Sequence, residues 1–191
     1  MHKADNGWLI TPHSHAMSGY RSPWWIAGGW AIDLHLGRQT RAHADLDIAA
    51  LRRDQPEIQR LFADWSLHKV VGGALQPWRN TESLLPPIHE IHGKRGEVAL
   101  ELLLNESDGD NWIFRRMPAI SMPLSQVGRH TASGLPYLCP EIVLLFKAKT
   151  PRQHDVDDFQ LTAPTLDTTS RQWLVSALEA CHPEHDWLSR L

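Results

Sequence analysis

Two aspartates one residue apart, Asp45 and Asp47, stand in the run His43-Ala44-Asp45-Leu46-Asp47-Ile48. In an extended chain, side chains at i and i+2 share a face. The two carboxylates then lie side by side while Leu46 and Ile48 face a core. Such charges repel unless a cation sits between them. A hard divalent ion such as Mg²⁺ takes oxygen ligands, usually from one or two carboxylates and substrate phosphates. Upstream, Gly28-Gly29 lets the backbone turn sharply and a ligand approach it, and the N–H groups of a helix starting there suit phosphate. These parts fit phosphoryl or nucleotidyl transfer.

The elements that must position them follow from the apolar pattern. Trp24 to Ala27 reads as a short buried strand. Trp30 to Leu36 reads as a short helix with Ala31 and Leu34 inward, and Gly37 stands just past its end. A basic loop with Arg38, Thr40, Arg41 and His43 leads into the strand carrying the aspartates. Strands are predicted over 24–27, 45–50, 67–71, 98–105 and 111–115. Helices are predicted near Pro56–Trp65, with Asp54 as cap, and over Glu141–Lys149. A third helix carries Asp155, Asp157 and Asp158, and a last long helix is capped by Asp167. The expected fold class is α/β (α+β): a small mixed sheet flanked by helices, with a core over 1–125 and a helical region over 126–191.

A second stretch carries chemistry. In Val98 to Leu104 the alternation puts Glu101 with Ala99 and Leu103 on one face and Val98, Leu100, Leu102 and Leu104 on the other. A carboxylate in so apolar a strand must be paired, hydrogen-bonded or metal-bound; the bland reading is a surface Glu on an edge strand. Glu106 is the alternative acid. Other suggestive groups have simpler readings. Gly72-Gly73 reads as a turn, 75–87 as an irregular connection, and Asp108-Gly109-Asp110 as a hairpin turn. His89 and His92 fall in a loop-like region and read as surface or hydrogen-bonding groups. Asp155, Asp157 and Asp158 read as a solvated face or as salt-bridge partners. Lys147 and Lys149 either complement a helix dipole or reach a phosphate.

Gly28-Gly29-Trp30, Asp33, Gly37, Arg38, Arg41, His43 and Asp45-x-Asp47 together resemble the nucleotidyltransferases related to DNA polymerase β. Within them the likeness is to the branch of aminoglycoside 2''-adenylyltransferases and lincosamide nucleotidyltransferases. The resemblance implies transfer of a nucleoside monophosphate from ATP or another NTP to a hydroxyl, with pyrophosphate leaving. Asp45, Asp47 and Glu101 would hold two Mg²⁺ ions, with Glu101 standing where many relatives carry Asp and also serving as base. Gly28, Gly29 and Trp30 would cradle the triphosphate, and Arg38, Arg41 and His43 would neutralise it, unless Arg38 instead braces the loop by binding Asp33. PEIVLLFKAKTPRQHDVDDF resembles the start of the family's helical region and extends the phosphate role to Lys147. The implied acceptor is a small hydroxylated molecule, aminoglycoside-like, whose cationic charge Glu82, Glu90 or Glu106 would attract at the rim. The alternative is a nucleotide-binding or antitoxin-like module that keeps the fold without chemistry; retention of the acids argues against it. A metal hydrolase built on His43-x-Asp45-x-Asp47 lacks a second His cluster.

The 191 residues suit one domain or a domain with a small appendage. With 19 basic and 22 acidic residues and no long basic run, non-specific nucleic-acid binding is not expected. Two cysteines, Cys139 and Cys181, make neither a disulfide framework nor a metal motif. No signal-like or membrane-spanning stretch stands out, so the expectation is a cytoplasmic monomer or homodimer without membrane partners. Residues 1–23 carry little pattern beyond a brief strand at Trp8–Ile10.

Overall fold

Residues 15–191 are described by the structure, a computed structural model; the expected Trp8–Ile10 strand lies outside them. The longest strand, Val98–Asp108 (β6), is central. On one side it pairs in parallel with Asp47–Leu51 (β2), which pairs antiparallel with Trp24–Ile26 (β1). On the other side it pairs antiparallel with Glu90–Arg95 (β5), followed by Ser66–Val71 (β3) and Ala74–Pro77 (β4). Asn111–Ile113 (β7) and Ser121–Pro123 (β8) form a side ladder on the far end of β6. Gly128–His130 (β9) and Pro136–Leu138 (β10) continue the main sheet beyond β1, with β10 parallel to β1. The mixed α/β fold is the one expected. Residues 128–138, expected with the helical part, supply strands to the sheet.

Among the described residues, five α-helices accompany the sheet: Gly28–Leu36 (α1), Gln55–Leu61 (α2), Pro140–Lys147 (α3), Gln153–Thr162 (α4) and Thr168–Cys181 (α5). Helix α3 is apolar on most of its surface because it is wedged among α1, α4 and α5; Ile142, Leu144 and Leu145 are fully buried. Asp167 caps α5 by accepting from Ser170 N at 2.8 Å, as expected. Trp187 anchors the C-terminal segment by stacking on Phe159, with centroids 4.3 Å apart.

Several expectations need correction. The aspartate strand starts at Asp47, not Asp45. The Asp45 carbonyl accepts the Trp30 indole N–H at 3.1 Å rather than a ladder bond, and the ladder begins where Leu46 O accepts Glu101 N. Ala74–Pro77, expected to be irregular, pairs with β3 across the Gly72-Gly73 turn. The His89–His92 region, expected to be loop-like, leads into β5, because Ile91 is fully buried and alternates with half-buried polar neighbours. Asp54 precedes α2 without a side-chain cap bond. Of the two readings of the aspartate trio, salt-bridge partner holds for the buried Asp155 and Asp158, and solvated face for Asp157 alone.

Candidate active site

Helix α1 begins at Gly28 immediately after β1, and there the missing side chains are required. Gly28 has φ +58°, and a Cβ on it would lie 1.9 Å from Asp47 Oδ2. A Cβ on Gly29 would lie 2.3 Å from Arg41 Nη2 and 2.6 Å from His43 Nδ1. The helix start is therefore packed directly against the acid and the two basic groups that follow it in sequence. Ala27 N donates to Asp47 O at 2.8 Å, which fixes the strand beside the turn.

Register completes the acid group. Asp47 on β2 is opposite Glu101 on β6, and Glu101 is opposite His92 on β5. Residues opposite one another in a ladder share a face, so Asp47, Glu101 and His92 form a row across three strands. Asp45 and Asp47 line the same cleft of about 710 Å³ with Glu90 and Glu101. His92 Nε2 lies 2.8 Å from Glu90 Oε1 and 3.6 Å from Glu101 Oε1. Burial, reinforced by Asp45 and Glu101, pushes Asp47 from an ordinary 3.8 up to about 7. Burial likewise raises Glu101, against the downward pull of His92. Charge of one sign held this closely calls for a cation. The oxygen-rich donor set of Asp45, Asp47 and Glu101 fits a hard divalent ion. Among the described residues, the group whose ligand atoms all lie within 4.8 Å of one another is Glu90, His92 and Glu101, with Asp45 and Asp47 outside it.

The basic groups are held by buried acids. His43 Nε2 is 2.5 Å from Asp33 Oδ2, and its ring lies 4.4 Å from that of Trp30. Arg41 donates to Asp158 through Nε at 3.3 Å and Nη2 at 3.2 Å. Lys147 Nζ is 2.5 Å from Asp155 Oδ1 and 3.0 Å from Asp158 Oδ2. Asp158 on α4 thus ties Arg41 in the loop before β2 to Lys147 at the end of α3. Lys147 also acts through space on Asp47, pulling its pKa down.

Of the residues singled out in the sequence, Gly28, Gly29, Arg41, His43, Asp45, Asp47, Glu101 and Lys147 line the one cleft. Trp30 is buried behind it, supporting His43 and Asp45. Arg38 is exposed and does not line it. Arg38 does not bind the Asp33 carboxylate either, since Thr40 and His43 occupy that group. Glu106 is engaged by Arg52, with Nε 2.8 Å from Oε1, and Glu82 by Lys69; neither lines the cleft. Arg115 and Arg116, not singled out in the sequence, do line it, as does His89, whose Nδ1 lies 2.8 Å from Pro87 O in keeping with its hydrogen-bonding reading. The adjacent arginines were the available signal, but only the β7–β8 turn brings them back over the sheet.

Comparison with known proteins gives a family match over part of the chain and a fold match over most of it. The family described as aminoglycoside-2''-adenylyltransferase matches residues 14–82. The 2''-aminoglycoside nucleotidyltransferases of Escherichia coli and Klebsiella pneumoniae are 65% identical to it over 26 residues, a stretch covering 14% of this chain and only 15% of each relative. The crystal structure of ANT(2'')-Ia in complex with adenylyl-2''-tobramycin superposes with a TM-score of 0.61 at 17% identity, covering 91% of this chain and 97% of that one. Lincomycin-bound LnuA, a lincosamide antibiotic adenylyltransferase, gives 0.57 at 16% identity, covering 82% and 96%. At such identities the structural likeness is one of fold.

Proposed function

Taking as premise that this chain resembles the aminoglycoside 2''-adenylyltransferase and lincosamide nucleotidyltransferase branch in motif and in fold, we propose that it transfers a nucleoside monophosphate, AMP from ATP in the first instance, to a hydroxyl of a small antibiotic-type molecule. The observation that carries this reading is the register of Asp47 with Glu101, which sets two acids from different strands beside Asp45 at a glycine-opened helix start. Mg²⁺ held by Asp45, Asp47 and Glu101 would neutralise the phosphates and acidify the acceptor hydroxyl.

The chain's own groups do the rest. Backbone N–H groups at Gly28 and Gly29 point along the helix start, where the dipole favours negative charge. Arg41, which packs against Gly29, and Lys147 are preset by Asp158 and Asp155 and offset the triphosphate's charge. His43, gripped by Asp33 and Trp30, closes the space above Gly29. Glu101, its pKa raised by burial, takes the proton from the acceptor hydroxyl as that oxygen attacks the α-phosphorus. Pyrophosphate then leaves on the side of the glycine turn. Holding the two reactants in line is worth a large part of the barrier.

The test is a pyrophosphate-release assay with Mg²⁺, each NTP, and a panel of aminoglycosides and lincosamides, with mass analysis of the acceptor. Metal-dependent gain of a nucleotide by an acceptor is the expected result. Nucleotide binding without gain by any acceptor would favour the non-catalytic module instead.

A further inference from the structure

The cleft floor changes character along its length, and this bears on which acceptor fits; the inference rests on the transfer reading above. Beside α1 the opposed pair is Asp47 and Glu101. Two residues further along the strands, about 7 Å away, the opposed pair is Ala49 and Leu103, with Glu90 opposite Leu103 on β5. Phe146 and Arg115 line the cleft as well. This end is poor in free acids. Glu90 is the acid of the cleft lining at this end, and His92 engages it at 2.8 Å.

Arg115 is in the opposite condition. Its guanidinium lies over the Phe146 ring, 5.6 Å from the centroid, and makes neither a hydrogen bond nor an ion pair among the described residues. Its neighbour Arg116 is already used, donating to Phe146 O at 2.8 Å. Burial and the adjacent Arg116 bring Arg115 down to about 10, so it remains a cation at neutral pH. Five N–H donors and no acceptor make it a partner for oxygen atoms, and in a half-enclosed site its repulsion of an ammonium group is weakly screened.

We infer that Arg115 is a specificity-determining residue that donates to oxygens of the acceptor and selects a hydroxylated sugar of low positive charge, of the lincosamide kind, over a polycationic aminoglycoside. The acids at the other end do not reverse this, because their charge is committed to metal.

The experiment is a binding titration of protein saturated with Mg²⁺ and a non-hydrolysable ATP analogue, followed by tryptophan fluorescence, with lincomycin and tobramycin as probes. Wild type is expected to prefer lincomycin by about tenfold. Arg115→Lys keeps the order, Arg115→Gln brings the two within about threefold, and Arg115→Glu reverses it. Circular dichroism melting identifies any variant that fails to fold, and the remaining two then decide. Tighter binding of tobramycin by wild type, or a ratio unmoved by Arg115→Gln and Arg115→Glu, overturns the inference. So does equal weakening of the ATP analogue, which would assign Arg115 to the nucleotide. Where wild type binds neither probe, gain of tobramycin binding by Arg115→Glu supports the inference and absence of gain overturns it. Transfer is assayed separately: a preserved charge preference without any nucleotide transfer defeats the proposed reaction and leaves the selectivity standing.

Discussion

Gly28-Gly29 and Gly72-Gly73 are the same dipeptide with opposite surroundings. A side chain at Gly28 would strike Asp47, and one at Gly29 would strike Arg41 and His43. At Gly72 and Gly73, on the tip of the β3–β4 hairpin, nothing lies within 4 Å of where a Cβ would be. Gly28, Gly72 and Gly73 all have positive φ, while Gly29 is helical, so a positive φ by itself does not mark the pair at the cleft. The same contrast holds for the two Asp-x-Asp runs. Asp47 is opposite Glu101 in a cleft, whereas Asp108 and Asp110 are exposed around the Gly109 turn of the β6–β7 hairpin. A short motif acquires chemistry only when another element is brought against it.

The largest effect that tests this contrast is Asp47→Asn, expected to lower nucleotide transfer by about 10³-fold while the protein stays folded. Asp108→Asn should leave turnover within about twofold. Near-normal turnover in a folded Asp47→Asn variant would end the metal-site reading. Gly28→Ala comes next. Its Cβ would displace the Asp47 carboxylate and its φ is left-handed, so transfer should fall about 100-fold and stability by about 1–3 kcal/mol. Gly72→Ala should cost about 1 kcal/mol in chemical denaturation without touching activity.

Glu101→Gln is expected to lower kcat by about 100-fold. Glu106→Gln should leave kcat intact and cost about 1–3 kcal/mol of stability through loss of the Arg52 pair. Equal kinetic damage from both would mean that the register with Asp47 is not what selects the acid.

The raised Asp47 makes a pH prediction. Its folded value of about 7 lies above the unfolded 3.8. Between these values the native state binds more protons, so metal-free stability falls as pH rises from 4 to 7, by at most about 4 kcal/mol. Added Mg²⁺ should offset the fall and Asp47→Asn should flatten it, both measurable by thermal melting across that range. A metal-free profile unchanged by the substitution would count against the crowding of charge. The smallest effect is expected at Asp158→Asn. Loosening Arg41 and Lys147 should raise KM for the nucleotide about threefold to tenfold with little change in kcat, and Asp158→Glu should recover part of it.

Local pattern determined a good share of the protein. The i, i+2 alternation put Glu101 with Leu103 on the face opposite Leu100 and Leu102, whereas Asp45 reaches the cleft from the loop before the strand. Gly37 was legible as a helix stop and has φ +68°, because only one residue's conformation is involved. Asp167 was legible as a cap for the same reason. The family resemblance also marked Arg41 and His43, in the loop that runs straight into the acid strand.

Only the tertiary structure decided between the two candidate acids. Glu101 and Glu106 sit on one strand five positions apart, so opposite faces receive them. Pairing with β2 sends Glu101 to the cleft, and Arg52 claims Glu106. The partners of Arg41 and Lys147 were equally hidden, because Asp158 lies 117 residues from Arg41 and is buried by helix packing rather than by local pattern. Arg115 carries no motif, and its place in the cleft depends on the β7–β8 turn folding back over the sheet. Short-range sterics and periodicity are properties of neighbouring residues and can be read along the chain. Which charges meet is set by register and by the packing of distant elements, and in this protein that pairing sorts the acids of the cleft from the acids that only hold it together.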